Sequence, residues 1–569
     1  MEIQYRMETD VLVIGMGGAG VRAAIAAADG GARVLLAGKC AFGVSGATFY
    51  PGTPGWGMQA VIHEGDTEDY FLEEILDAGA GAADPELAKL LATRSTARFH
   101  ELEDMGIRFE RYEDGRYKGV IPCFGKRLRG SSTLGIAKIR RALWLQLMRR
   151  NVRILENTEF ICLVKKDGAV VGAVGLDALD QPFYVRAKAV VLATGGGCGI
   201  YKYSLATPDE TGDGYALALD AGAKLINMEF IQFIPGLTWP VKKLLFQEKN
   251  LVTCPKFTNG AGEDILAKYL PKGISEEACL TERAKHGPFT TADISFWLDL
   301  AMYEEAAAGR ACESGGIHVA YDPKVLEDKS WVITSWLEWM NSRGVRPVEE
   351  GFDMIPHAQC FNGGVYIDKN ASSGVPGLFA AGETAGGAHG ADRLGGAAIA
   401  ATQVFGALAG ERAAEYCAGC SAADVSGAGI GDQLHARFGE AQGTLADIPK
   451  TMEEIRDVMW RCGAIVRSAE RCGEGLARLA ELESAFSPAL QYERGADVRR
   501  VGDLVSYLAL SKLLLTVMDQ RKESRGPHYR SDFPEPRPEF RGAITVKKEG
   551  GGLRTELVTF GKSESGAKA

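Results

Sequence analysis

The 569-residue sequence predicts an α/β protein whose Rossmann-like nucleotide-binding core is interrupted by an inserted domain. Three stretches carry that reading. Asp10–Ile14, DVLVI, reads as a buried strand; it enters Gly15-Met16-Gly17-Gly18-Ala19-Gly20, then a helical VRAAIAAADGG and a second strand, ARVLLAG. Further on, AKAVVLATGGGCG is again a strand running into a glycine turn. Far downstream, VPGLFAAGETAGGAHGADRLGGAAIAATQVFGALAG returns to the same strand–glycine–helix grammar, so a separate unit lies between.

The first glycine loop suits a dinucleotide phosphate. Gly15 permits the tight turn, Gly17 removes the side chain that would block a pyrophosphate, Gly18 continues the bare loop, and Gly20 lets the helix lie near the strand. The helix N-terminus then offers unpaired amides and a favourable dipole to the phosphates. The second strand ends Ala37-Gly38-Lys39-Cys40, without the carboxylate that takes ribose hydroxyls in NAD enzymes, so the backbone at Gly38 or Lys39 is the expected contact. Phe42–Thr48 adds accessible backbone around Gly46 and two hydroxyls, Ser45 and Thr48, whose alternative role is loop capping. Thr211-Gly212-Asp213-Gly214 precedes the helical YALALDAGA, with Asp213 set to cap amides or meet a polar cofactor group.

A formal charge of -10 and a pI near 5.5 argue against a nucleic-acid partner, and the basic runs Lys126–Arg129 and Lys138–Arg141 read as solvated helix faces. The 12 Cys follow no regular spacing, which predicts a reducing, cytoplasmic compartment. Cys417 and Cys420 form a lone CxxC, so neither a metal site nor an iron–sulfur cluster is expected in this chain. No signal segment and no membrane span is expected, since no apolar run approaches the length that crosses a bilayer. Amphipathic runs from Met452 to Leu515 predict packed helices, and ITVKK, EGGG and TELVTF near the end predict a hairpin or partner-binding extension.

The ordered set GMGGAG, ATGGG, TGDG, MEFIQF, PGLFAAGE, HGADRLGG and ESRGPHYRSDFP resembles the flavoprotein family of fumarate reductase, succinate dehydrogenase and L-aspartate oxidase. The resemblance implies an FAD-binding domain over residues 1–235 and 352–423, an inserted α+β capping domain over 236–351, a C-terminal helical domain over 424–540 and an extension over 541–569. It implies FAD near Gly15, Gly17 and Gly20, with Gly195, Thr211, Asp213, Glu383 and Ile399 adding contacts and Ser45, Gly46, Thr48 and Gly395 toward the ribitol or ring. A helix cap is the alternative role for Glu383. Covalent members use a His in the segment matching Val44–Ala47; none stands here, so FAD is expected to be non-covalent.

Arg393 matches the arginine that grips a substrate carboxylate beside the flavin, a task its rigid fork suits. Other positions depart from the family. Ile234 stands where a substrate-binding His is expected, LVTCPKFTNGAGED replaces the RGEGG loop and its proton-donating Arg, Gln359 falls opposite a second His, and Ala292-Asp293 replaces an RD pair. Ile234 donates no hydrogen bond and Gln359 does not titrate near neutrality. The expected pocket therefore suits a less acidic, more apolar or aromatic substrate, with Phe233, Trp239, Phe361 and Tyr203 available as walls, ordinary packing being the alternative role of each, and Lys256, His357, Tyr203 and His389 as candidate proton donors. A solvated lysine and a structural histidine are the plain alternatives for Lys256 and His357.

The leading expectation is an FAD-dependent oxidoreductase acting at flavin N5 on an activated double bond, in a small-molecule substrate other than a simple C4 dicarboxylate. The alternatives are an unconventional fumarate reductase, succinate dehydrogenase or aspartate oxidase, and a flavin electron-transfer subunit whose chemistry lies in a partner. A separate iron–sulfur or other electron-transfer subunit is consistent with each.

Overall fold

The computed structural model describes residues 3–49, 55–246, 248–254, 256–329, 331–438, 448–485 and 495–560. Its central sheet explains the apolar run at the start of the chain. Tyr5–Ile14 lies inside the sheet, and Val11, Leu12 and Val13 are fully buried, as strands covered on both faces require. The order is Arg153–Leu155, Val34–Ala37, Tyr5–Ile14, Pro182–Leu192, Ala169–Leu176, Glu159–Lys166. The first three pairings are parallel and the last two antiparallel, while Leu378–Ala380 runs parallel to the far end of Pro182–Leu192.

The late return to the nucleotide-binding grammar has a packing reason. Helix Ala397–Ala418 lies against helix Gly18–Asp29, and the approach is so close that a Cβ on Gly406 would stand 2.7 Å from the Ala19 carbonyl oxygen and one on Gly410 2.2 Å from that of Ala23. Two bare positions one turn apart let the backbones touch.

Strands Ile231–Trp239 and Phe352–Phe361 pair antiparallel and run from one core into another. Ile231, Phe233, Ile355 and Phe361 pack in the main core, whereas Leu237, Phe352 and Met354 pack with Phe246, Leu298 and Met302 in a second. The second core belongs to the inserted unit, whose sheet runs Leu244–Leu245, Ile231–Trp239, Phe352–Phe361, Ile317–Val319, Phe257–Thr258. The C-terminal region supplies helices Gly427–Phe438, Ile448–Gly463, Ala469–Ala485 and Gly495–Gln520. Val498–Gln520 is long and apolar enough to cross a membrane, and 72% of its most apolar window is buried inside the protein. The terminal hairpin, Ala543–Glu549 with Gly552–Val558, joins a sheet with Leu225–Ile226, Gly364–Tyr366 and Ala385–Gly386.

Buried charges tie these parts together. Arg521, two residues before the ESRGPHYRSDFP stretch, reaches Glu229 of the MEFIQF stretch at 2.6 Å and Glu523, the first residue of that stretch, at 2.8 Å, and all three side chains are fully buried. Arg467 donates to the Glu229 carbonyl oxygen at 2.7 Å. The run Lys126–Arg129 is a correction to the sequence reading. It lies outside any helix, and Arg129 is fully buried between Asp66 at 2.7 Å and Glu74 at 2.8 Å. The guanidinium is enclosed because two carboxylates from elsewhere in the chain meet it there.

Breaking one of these networks from a single side leaves a buried charge uncompensated. Arg521→Leu is expected to cost about 3–5 kcal/mol, read as a drop in the thermal and denaturant midpoints of the purified protein. An unchanged midpoint would show that Glu229 and Glu523 relax to solvent.

Candidate active site

A long cleft opens at the carboxyl ends of the central parallel strands, the usual ligand position in such sheets. Its walls are Gly15–Ala19, Gly38–Ala41, Ser45–Thr48, Ala193–Gly195 and Gly382–Glu383, and it ends at Cys360, Phe361, His389 and Arg393. The glycines divide into two kinds. A Cβ on Gly15 would lie 2.0 Å from the Ala193 carbonyl oxygen, and one on Gly20 1.9 Å from that of Gly15, so both are bare because strand, turn and helix touch. A Cβ on Gly17 would meet nothing closer than Thr48 Oγ1 at 3.5 Å, and one on Gly46 nothing at all. Those positions are bare where the cleft is open, as a close-lying pyrophosphate requires.

No side chain of Gly17 caps helix Gly18–Asp29, and Thr48 Oγ1 accepts from the Gly18 amide at 3.0 Å. Gly46 donates to Thr207 Oγ1 at 3.1 Å, and Ser45 Oγ donates to Asp209. Ile399 lines the cleft; Gly395 stands just behind it, its amide donating to the Cys123 carbonyl oxygen at 3.1 Å. Gly195 takes a positive φ of 77° at the turn after the ATGGG strand.

Lys39 does more than offer backbone. Its ammonium lies 2.9 Å from Asp503 and 3.3 Å from both Glu159 and Asp213, and donates to Thr211 Oγ1 at 2.7 Å. Burial opposes its charge, yet Asp213, Glu159 and Asp503 together raise its pKa. Thr211 and Asp213, read as cofactor contacts, are thus first the partners of a lysine. Asp213 also lines the cleft, and Thr211 stands behind it.

Glu383 also lines the cleft, and its Oε1 accepts from the Phe361 amide at 2.9 Å. Glu210, which the sequence reading passed over, lines the same wall, and its only signal was its place just before TGDG. Burial pushes Glu383 from 4.5 up to about 7 and Glu210, with Glu383 and Asp209 adding repulsion, from 4.5 up to about 8.

At the far end, the Arg393 guanidinium donates to the Leu394 carbonyl oxygen at 3.2 Å and to Cys360 Sγ at 3.6 Å, while its buried Nε has no partner. Cys360 Sγ in turn donates to Gln232 Oε1 at 3.2 Å, and burial pushes its thiol up to about 11. Gln359 Oε1 is buried without a partner. Ile234 is 5% exposed and packs toward Gly287, where a Cβ would lie 2.8 Å from Ile234 Cδ1. His389 and Phe361 line the cleft, and burial with the nearby Arg393 pulls His389 down to about 3.

The remaining sequence candidates lie elsewhere. Lys256 is exposed beside the short edge strand Phe257–Thr258, three strands from Ile231–Trp239 across the cap sheet. His357 is buried with Nδ1 2.8 Å from the Ile355 carbonyl oxygen, and burial pulls it down to about 4, so it is neutral at pH 7. Tyr203 packs its ring on Trp460 at 4.7 Å and on His357 at 5.7 Å. Phe233 is fully buried against Tyr201, and Trp239 is 39% exposed at the end of its strand. Strand alternation and the bulge between Gln232 and Phe233 decide these positions. The signal for Cys360 was its place beside Gln359. Among the described residues no group of His, Cys, Asp and Glu could hold a metal.

A bare loop at a helix N-terminus, opening on a cleft along the sheet's carboxyl edge, defines a site for a dinucleotide cofactor. Residues 10–399 match the FAD binding domain model, and residues 452–557 match that of the fumarate reductase flavoprotein C-term. The chain is 31% identical over 558 residues to one subunit of the CoM/CoB fumarate reductase of Methanothermobacter marburgensis, covering 95% of this chain and 97% of that one. It is 28% identical to an L-aspartate oxidase of Streptomyces coelicolor, over 93% of this chain and 90% of that one. The solved structure of Mycobacterium smegmatis Sdh1 in complex with UQ1 superposes with a TM-score of 0.84 at 28% identity, over 98% and 94% of the two chains. The protein belongs to the FAD-dependent family of fumarate reductase and succinate dehydrogenase flavoproteins and L-aspartate oxidases. It is an FAD-dependent oxidoreductase.

The two kinds of glycine separate experimentally. Gly17→Ala is expected to keep the melting temperature of the cofactor-free protein while weakening FAD binding at least about tenfold, whereas Gly20→Ala destabilises the protein itself. Fluorescence titration with FAD beside thermal melts distinguishes them.

The raised carboxyls fix the sign of a pH effect. Their folded pKa values lie above the unfolded ones, so the stability they contribute is full below the unfolded value and is lost as pH rises through about 7 to 8. The melting temperature of cofactor-free protein should fall across that window, and Glu210→Gln should flatten the fall.

Proposed function

We propose that the protein reduces or forms the carbon–carbon double bond of a small dicarboxylate-type acid. The observation carrying this reading is Arg393, whose guanidinium lines the cleft's end and donates to a backbone carbonyl and the Cys360 thiol rather than to a carboxylate. The names of relatives, fumarate reductases and L-aspartate oxidases among them, support it.

FAD, when bound, supplies the hydride chemistry. Gly15, Gly17, Gly18 and Gly20 would hold its pyrophosphate, Glu383, Glu210 and Asp213 the polar middle, and Ser45, Gly46, Thr48, Gly195, Gly395 and Ile399 the ring end. The absence of His from Val44 to Ala47 supports non-covalent attachment. The chain itself orients and desolvates the substrate. Arg393 fixes the carboxylate, and Phe361 keeps water from the reacting bond. The proton-bearing groups facing the cleft's end are Cys360, which burial keeps protonated, and neutral His389. Electrons are exchanged with a separate redox partner, and twelve unpaired thiols support a reducing, cytoplasmic setting.

Ile234 favours a second reading. Its aliphatic contact with Gly287 replaces a polar grip, which suits a single carboxylate on an apolar or aromatic tail. Rapid mixing of reduced enzyme with fumarate and with aromatic acrylates separates the two by which one reoxidises the flavin. No reoxidation by either class would sink both. Arg393→Met is expected to lower kcat/KM at least about 100-fold, about 3 kcal/mol, at unchanged FAD content.

A further inference from the structure

We propose that the protein forms a twofold dimer in which strand Gly552–Val558 pairs antiparallel with the same strand of a second copy, joining two sheets into one. The sheet runs Ala385–Gly386, Gly364–Tyr366, Leu225–Ile226, Ala543–Glu549, Gly552–Val558, so among the described residues the last strand has a neighbouring strand on one side only. Such an edge offers a row of backbone donors and acceptors to any strand that matches it, and proteins usually blunt it with a proline, a bulge or a very short strand. This strand has seven residues, no proline and an unbroken register with Ala543–Glu549.

The hairpin sets which groups are on offer. Glu549 pairs with Gly552 across Gly550-Gly551, both at positive φ, 59° and 81°, a two-residue turn that closes on a hydrogen-bonded pair. Alternation from there turns the backbone groups of Gly552, Arg554, Glu556 and Val558 toward Ala543–Glu549, and those of Leu553, Thr555 and Leu557 toward the open side. A second copy meeting that side on a twofold axis at Thr555 sets Thr555 against its own counterpart, Leu553 against Leu557 and Arg554 against Glu556. The outward groups then make about six hydrogen bonds across the junction.

The side chains favour that register over its rivals. Leu553-Arg554-Thr555-Glu556-Leu557 has an aliphatic residue at each end and opposite charges flanking its centre, so it complements itself when reversed. Centring on Arg554 or Glu556, or pairing the two copies parallel in register, sets like charges side by side. Within the hairpin Arg554 already stands opposite Lys547, and an acid on its open side balances that like-charge pair. Both charged residues are free to redirect. Arg554 lies 2.9 Å from Glu549, with side chains 69% and 46% exposed, and Glu556 lies 3.9 Å from Lys224, at 67% and 49%; exposed pairs of this kind contribute little. Leu557, 37% exposed, gains an apolar neighbour in Leu553 of the second copy. The contact is isologous and consumes the edge on which it forms, so assembly closes at two copies.

The test is sedimentation of the FAD-loaded full chain over a range of protein and salt concentrations. The wild type should show a monomer–dimer equilibrium that weakens with salt. Thr555→Pro removes an outward amide that the hairpin does not use, and should weaken association at least about tenfold at unchanged FAD content. Arg554→Glu and Glu556→Arg should each weaken it at least about tenfold, because the first makes both flanking positions acidic and the second makes both basic. Mixing these two variants should restore association as a heterodimer, which a general loosening of the hairpin would not do. A wild-type chain that stays monomeric at every concentration overturns the proposal. So does a dimer or larger assembly that persists in Thr555→Pro, or a mixture of the two charge variants that associates no better than either alone.

Discussion

The structure depends on a backbone-to-backbone contact at the start of the first helix. The turn at Gly15 presses on Ala193 of the neighbouring strand, and Gly20 presses on Gly15, with no room for a methyl group at either place. Because strand and helix meet this closely, the helix N-terminus stands directly over the sheet's carboxyl edge, and Gly17 is left facing open space. The cleft follows from that geometry, and so does the demand for a second helix, Ala397–Ala418, whose own bare positions at Gly406 and Gly410 close the other side.

Ionic contacts then fix the long-range arrangement. Lys39 gathers Glu159, Asp213 and Asp503, so one buried cation links the second strand, the helix after TGDG and the last long helix. Arg521, Glu229 and Glu523 do the same beneath the MEFIQF strand. Such networks add little where desolvation offsets attraction, but they strongly penalise any arrangement that leaves one member alone. They therefore specify which segments meet more than they stabilise the meeting.

The inserted unit shares its two longest strands with the main core, so the floor of the cap and the wall of the cleft are one continuous ladder from Ile231 to Trp239 and from Phe352 to Phe361. Gln232, Ile234, Gln359 and Cys360 lie on this ladder, and Arg393 on the loop beneath it contacts Cys360 and Gln232. One of these ladder positions thus reaches the cleft's end, where the Cys360 thiol stands beside the Arg393 guanidinium.

The sequence by itself determined the nucleotide-binding core, because glycine spacing and apolar strands are local signals: the turn at Gly15–Gly20, the helices after it and after TGDG, the late return at Ala397 and the terminal hairpin each depend on a few adjacent residues. It also picked out Arg393, Glu383 and Asp213 on the cleft wall, since each sits in a short motif. Only the tertiary structure decided the rest. Arg129 read as solvated until Asp66 and Glu74 met it, and Lys39 read as backbone until three distant carboxylates enclosed it. His357 and Tyr203 turned out to pack on each other, and Lys256 to lie on an outer edge, because a bulge and a strand order assign faces that no local pattern encodes. Burial and charge pairing are properties of what comes near in space, and a linear string records that only where the neighbours are also neighbours in sequence.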